Sequence, residues 1–275
     1  MMNLFQVARD NAESFSRRYE SVRDAMKETA FQLDRFVEAV WSEGRLAINM
    51  RPTVLLRLLA LGRYQNVYDW ADELVGRTGQ SREELLRLRL KGYYDRRMAF
   101  DCFLEQGERL RYGALNLGGL GAVYFGDYCL VFGEAFAEGL ADLSYLWADS
   151  LETYLMPDCM VDELGLRRDA CPHSHRHFLA ALKHGAKAVT LAEHRWPALV
   201  CSRAGFIEAI FVGSVAPADL QAVRMDQLDY ELYFDSLVDA ALGRLRGSDR
   251  FLVEEFDTLL NLLEQNSIPL EKVAA

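Results

Sequence analysis

The segment from about residue 111 to 213 constrains the fold most. Glycines punctuate short runs such as YCLVF, KAVTLA and FIEAIFV, rich in β-branched and aromatic residues, which is the pattern of strands joined by turns. RLAINM, at 45–50, predicts a further strand ahead of it. On both sides the period changes. From Phe15 the apolar positions Tyr19, Val22, Met26, Ala30, Leu33, Val37 and Val40 recur every three or four residues, predicting one long amphipathic helix that ends near Gly44 and packs on the domain. A coiled-coil dimer would need a leucine-rich seam that this stripe lacks. Arg51-Pro52 opens a short helix that stops at Gly62, and the capping box of Ser81 with Glu84 starts another in SREELLRLRLK. From Pro217 the helical period returns, with amphipathic segments 228–245 and 251–263 either side of a Gly247-Ser248 break. The expected plan is α+β: a helical segment over 1–44, a mixed-sheet core over 45–225, and a helical tail over 226–275 packed on that core.

With 275 residues, 51% of them hydrophobic, the chain can bury a sizeable core. Its net charge of -10 works against non-specific nucleic-acid binding, which depends on neutralising phosphates. Runs such as Ala209 to Val212 fall far short of the roughly 20 residues that cross a bilayer. MMNLFQVARDNAE lacks a basic stretch followed by an apolar one, so neither a membrane anchor nor a cleaved signal peptide is expected. The five cysteines form no C-x-x-C pair, which suits a reducing compartment.

RYGALNLGGLG, at 111–121, ends in glycines like a phosphate loop, yet it satisfies neither G-x-G-x-x-G nor G-x-x-x-x-G-K-[ST]. A turn between strands is the simpler expectation. CPHSHRH sets Cys171, His173, His175 and His177 at alternate positions, but tetrahedral metal sites usually draw ligands from separate elements. Ser174 reads instead as the cap of the following helix, and no metal is expected. Glu208 shares a strand face with Phe206, Ile210 and Val212, where a carboxylate needs a partner, a job or an edge position open to solvent. Arg63 in GRYQN ends a helix. Asp95-Arg96-Arg97 follows Tyr93-Tyr94 and sets aromatic rings beside two guanidinium groups, a patch able to stack a heteroaromatic ring and fork onto phosphates. No Ser/His/Asp or Cys/His arrangement is recognisable.

The order of these pieces resembles a known family. A strand into INMRP, then LLALGRYQNVYD, KGYYD, RYGALNL, YFGDYCLVF, WADS and FIEAIFVGSV is similar to bacterial ADP-ribosyltransferase-like domains, including type III effectors of the CteC type that attach ADP-ribose to a threonine of ubiquitin. The resemblance covers roughly residues 45 to 225. Where family members commonly carry a histidine before the proline this chain has Arg51, and where they carry a serine after Phe-Gly it has Asp127.

The resemblance implies a split, strongly bent β-sheet core flanked by N- and C-terminal helices, with NAD as co-substrate and no metal. Glu208 would grip the ribose hydroxyls and stabilise an oxocarbenium-like ribose. Arg63, with Arg96 or Arg97, would hold the pyrophosphate; Tyr94 or Tyr112 would stack on nicotinamide; Asp95 would serve as base to the acceptor hydroxyl; Asn116 would add a hydrogen bond. It further implies a protein acceptor, ubiquitin, rather than nucleic acid or membrane, and a secreted effector acting in a host cytoplasm. The alternatives are a transferase with another protein or a nucleic acid as acceptor, and a catalytically silent partner-binding protein.

Overall fold

In chain order the strands are β1 (Arg45–Met50), β2 (Leu110–Asn116), β3 (Tyr128–Phe132), β4 (Asp142–Leu146), β5 (Cys171–Pro172), β6 (Glu208–Val212), β7 (Leu220–Asp226) and β8 (Leu270–Val273). The computed structural model describes residues 1–244 and 249–274. Its strands form one open sheet in the order β5-β4-β6-β2-β1-β3-β7-β8. Neighbours run antiparallel except β7 and β8, which are parallel.

Helices cover both faces. Ahead of β1 come α1 (Leu4–Asp10), α2 (Ala12–Ala25) and α3 (Ala30–Glu43); between β1 and β2 lie α4 (Pro52–Leu61), α5 (Val67–Thr78), α6 (Arg82–Leu90) and α7 (Tyr94–Phe103). Then follow α8 (Glu134–Gly139), α9 (Ser150–Thr153), α10 (Glu163–Asp169), α11 (Arg176–Ala188), α12 (Trp196–Cys201), α13 (Gln227–Ala241) and α14 (Arg250–Gln265). Strand alternation sorts the core in two. Leu46, Ile48, Leu115, Leu130, Ala209 and Phe211 pack on one side with Phe36, Leu55, Leu179 and Phe256 of the helices. On the other side Ile210 and Leu146 pack with Leu4, Phe5, Phe100 and Leu166. Arg176, 1% exposed, joins α11 to the end of α3: it donates to the carbonyls of Trp41 and Gly44 and pairs with Glu134 at 2.6 Å.

The central pair of strands separates. β1 and β2 are in register only from Arg45↔Asn116 to Ala47↔Ala114. Beyond that point β1 continues with β3 as far as Met50↔Tyr128, while β2 continues with β6 as far as Leu110↔Val212. The parting begins at Gly113, where an added Cβ would come within 2.5 Å of the Ala47 carbonyl oxygen. Two asparagines facing away from the first core then fix the loop between β2 and β3. Asn49 donates to the carbonyls of Leu120 and Gly126 and accepts from the Ala122 N–H at 2.7 Å. Asn116 donates to the Gly119 carbonyl at 2.9 Å and accepts from the Gly119 N–H. Gly121 has φ of +67°, and a Cβ there would strike Asn49 Oδ1 at 2.2 Å.

Several expectations are corrected. The N-terminal stripe is two helices: Arg23 bonds Asp34 at 2.7 Å, whereas a continuous helix would hold them about 16 Å apart, 11 residues at ~1.5 Å each. Folding back lets both halves of the stripe pack near Ala181 of α11. KAVTLA is the end of α11 and the turn after it, because Leu179, Ala180, Ala181, His184, Gly185 and Ala188 form one buried helical face. Ser174 does not cap α11; its hydroxyl meets His175 Nδ1 in a 3-10 turn, and His175 stands at the cap position. Pro217 opens only a 3-10 turn, after which Leu220–Asp226 alternates as a strand, and Leu270–Val273 adds another beside it. The Gly247-Ser248 break lies outside the described residues.

Asn49→Ala removes three hydrogen bonds from a half-buried site. It is expected to lower unfolding free energy by about 2–3 kcal/mol in a urea titration, with faster amide exchange at Ala122 than in the wild type.

Candidate functional site

A cleft of about 590 Å³ opens where β1 leaves β2. Asn49, Met50 and Arg51 line it from the strand end, Arg57 from α4, residues 63–66 from the following loop, Val67 and Trp70 from α5, Arg89 from α6 and Phe125 from the glycine loop. Local sequence sets the walls. Pro52 at the first helical position turns the chain sharply after Arg51, Gly62 ends α4 in the left-handed region at φ +68°, and Asn66 with Asp69 forms a capping box that starts α5. Of the four arginines, Arg57 pairs with Glu73 at 3.0 Å and Arg89 lies over the Trp70 ring at 5.6 Å. Arg51 and Arg63 have no acidic partner among the described residues. A cationic cleft in a chain of net charge -10 is a local inversion of sign, which favours an anionic ligand.

Behind this cleft lies a buried acid. Glu208 opens β6, an interior strand between β4 and β2, and is 4% exposed. The Ser150 N–H donates to its Oε2 at 2.8 Å. Burial pushes the Glu208 carboxyl up to about 8, helped by the charge of Asp149 and opposed by Arg97 and by the Ser150 hydrogen bond. Arg97 of α7 stacks on the Tyr112 ring at 3.7 Å and pairs with Asp101 at 3.5 Å. Asp101, 2% exposed, accepts from the hydroxyls of Tyr112 and of Tyr68, the latter at 2.7 Å. Burial pushes the Asp101 carboxyl up, against the pull of Arg97 and the two tyrosines. Lys183 braces the strand ends beside Glu208, donating to the carbonyls of Trp147 and Phe206.

Two features join cleft and acid. The half-buried Tyr64, a cleft residue, lies under the Arg111 guanidinium at 5.9 Å and also feels the charges of Arg97 and Arg89. Phe206, two residues before Glu208, meets the rings of Tyr124 and Phe125 at 5.5 and 5.8 Å, and Phe125 lines the cleft. Buried polar atoms without a hydrogen-bond partner also lie here: Ser150 Oγ near Glu208 and Gln65 Oε1 in the cleft wall. Orphaned buried polar atoms cost about 1–3 kcal/mol each, a cost that a polar ligand at this place would relieve.

The structure brings Glu208, Arg97 and Tyr112 together and sets Arg63 on the rim of the adjoining cleft. Four other residues singled out in the sequence stand apart. Asp95 is 76% exposed and faces Arg87 at 3.6 Å; Tyr94 lies under the same arginine. Arg96 donates to the Leu151 carbonyl. Asn116 holds the glycine loop instead of facing the cleft. The carboxylate that α7 turns inward is Asp101, six residues after Asp95, which meets Arg97 and Tyr112 beside the acid. Sequence reading missed Arg51, Arg89, Trp70, Asp101, Asp149 and Ser150 as site residues. Arg51 carried a signal, as the last residue before a helix-opening proline at a strand end; nothing local marks Arg89 within the charged RLRLK.

The histidines of CPHSHRH diverge: His173 meets Glu134 at 3.1 Å, His175 meets Ser174, and His177 packs on Phe178. Among the described residues no group of three or more His, Cys, Asp or Glu side chains is placed to hold a metal ion. Nor is any helix among them long and apolar enough to cross a membrane. No protein-family model matches the sequence, and no curated protein is significantly similar to it.

The raised Glu208 pKa has a sign that stability measurements can read. Between about pH 4.5 and 8 the unfolded chain releases this proton while the folded chain keeps it, so the residue costs the fold increasing stability as pH rises through that window. Glu208→Gln, which keeps an acceptor for the Ser150 N–H, is expected to melt higher than wild type at pH 8, with the gap closing towards pH 5.

Proposed function

We propose that this chain is an NAD-dependent mono-ADP-ribosyltransferase that modifies a host protein, on a threonine of ubiquitin, as a secreted effector in the host cytoplasm. One observation carries the reading: a carboxylate buried on an interior strand stands beside a cleft rich in unpaired arginines, at the point where the central strands part. The sequence resemblance supplies the reaction, and the chemistry of the site suits it.

NAD carries a pyrophosphate between two ribosides, each with an aromatic ring. Arg51, Arg63 and Arg89 offer guanidinium forks to the pyrophosphate. Trp70, Tyr124 and Phe125 offer ring faces. Glu208 accepts from the hydroxyls of the nicotinamide ribose. As the bond from ribose to nicotinamide breaks, its electron pair leaves with nicotinamide, and the carboxylate stabilises the positive charge that develops on the ribose. The threonine oxygen then bonds to the ribose carbon. Its proton passes to a carboxylate, and Asp149, whose charge Glu208 feels, takes this part in place of the distant Asp95.

Incubation of the purified protein with NAD and ubiquitin is expected to add one ADP-ribose to ubiquitin, read by intact mass. Glu208→Ala with its fold retained is expected to lose the adduct, with turnover down about 10²–10³-fold. Unmodified ubiquitin and no released nicotinamide would contradict the reading. The rate is expected to climb with pH towards about 8 as Glu208 ionises. Asp149→Asn, which keeps a capping side chain for Leu151 and Glu152 while removing the charge and the base, is expected to lower the rate and to move that climb to lower pH; an unchanged rate and profile would separate Asp149 from Glu208.

A further inference from the structure

Helix α13 turns an unpartnered face to solvent. None of its residues is buried, and Leu228 and Leu232 are 68% and 65% exposed, one helical turn apart, with Leu242 further along the same side. Isolated exposed leucines need no explanation, but a row of them on one helix marks a contact surface. The charge around them has one sign. Asp226, Asp229, Glu231, Asp235 and Asp239 fall between Met225 and Gly243, a stretch with no lysine or arginine. None of these five carboxylates pairs with a basic side chain among the described residues. The inner side is already used: Tyr230 and Tyr233 pack against Phe256 of α14, and Lys272 stacks on Tyr230 at 4.3 Å.

The helix starts close to the cleft: the Cys129↔Arg224 register of β3 and β7 sets its first residues beside Asp127. Tyr128 and Tyr233 both feel the charges of Asp127 and Asp229, which sets the first half of α13 beside Asp127, two residues after Phe125 of the cleft wall. Val123 and Phe125, in the loop just ahead of Asp127, are 51% and 48% exposed, and Phe125 lines the cleft. A hydroxyl nucleophile must be held about 3–3.5 Å from the carbon it attacks, which a docking surface next to the reaction site achieves.

We infer that the outer face of α13 is the docking surface for the protein that accepts ADP-ribose, and that this protein presents an apolar patch bordered by lysine and arginine side chains. The inference rests on the transferase reading above. Carboxylates without basic partners steer a basic surface in, and the leucines fill its apolar centre. Association is then sensitive to salt, because the charges are exposed.

The test uses the full chain and isotope-labelled ubiquitin as the probe, in two arms. In the binding arm, wild type is expected to shift ubiquitin resonances, and the double variant Leu228→Glu, Leu232→Glu is expected to bind at least about 10-fold more weakly. Asp235→Lys with Asp239→Lys is expected to weaken binding and flatten its salt dependence. All four positions are exposed, and unchanged melting temperatures would verify the folds. In the reaction arm, the leucine variant is expected to raise KM for ubiquitin while leaving acceptor-free NAD hydrolysis unchanged. No resonance shift with wild type, or equal binding by the variants, would overturn the inference. So would a wild-type dimer in sedimentation that the leucine variant dissolves, which would assign the face to a second copy. Ubiquitin held through α13 with NAD left intact would sink the transferase reading and leave the docking surface standing.

Discussion

The parting of β1 from β2 after the Ala47↔Ala114 pair is the constraint on which the rest of the molecule depends. A sheet continuous across this point would leave no room for the cleft and would carry Asn49 and Tyr112 as facing ladder residues. Because it parts, each strand completes its hydrogen bonds with its other neighbour, β3 for β1 and β6 for β2. Arg51 then leaves one strand at the cleft rim, while on the other Tyr112 packs under Arg97 and Arg111 lies over Tyr64 of the cleft. Asn49 and Asn116 hold the loop between β2 and β3 at this junction and so fix where Phe125 stands.

The separation explains the electrostatics. An overall acidic chain gathers Arg51, Arg57, Arg63 and Arg89 around one opening, with a single carboxylate, Glu73, drawn to one of them. Behind the opening, Glu208 is buried on an interior strand with a like charge, Asp149, near enough to hold its proton more tightly. Cationic rim and proton-holding acid are each unfavourable taken alone. Their juxtaposition, together with the unpartnered Ser150 Oγ, is the arrangement expected where a polar, anionic ligand completes the hydrogen bonding.

Much of the fold was legible in the sequence, for reasons particular residues make plain. Pro52, Gly62 and the Ser81 with Glu84 box placed α4 and α6, since these signals act within one helical turn. YCLVF and FIEAIFV read as strands through β-branched and aromatic density, and alternation put Glu208 on the face of Ile210. Features set by distant contacts were hidden. The break between α2 and α3 is favoured by α11, more than 140 residues later in sequence, and β8 is a strand only because β7 offers an edge to it. The site divided in the same way. Glu208 announced itself as a carboxylate on an apolar strand, and Arg97 as part of an aromatic and basic patch. Asp95 and Asp101 share helix α7, and only the packing of that helix decides which of the two carboxylates reaches inward.

The glycine loop shows what changed between sequence and structure. Its glycines serve backbone turns and close approach, with Gly118 and Gly121 in the left-handed region, and no phosphate motif is needed to account for them. The anion-binding capacity resides instead in arginines scattered from residue 51 to residue 89. The account's central claim is that these arginines and Glu208 form one site for one ligand. A crystal structure of the Glu208→Gln protein soaked with NAD tests it most directly. The account predicts the pyrophosphate against Arg51 and Arg89 and the nicotinamide ribose against residue 208; NAD bound elsewhere, or with its ribose remote from residue 208, would contradict it.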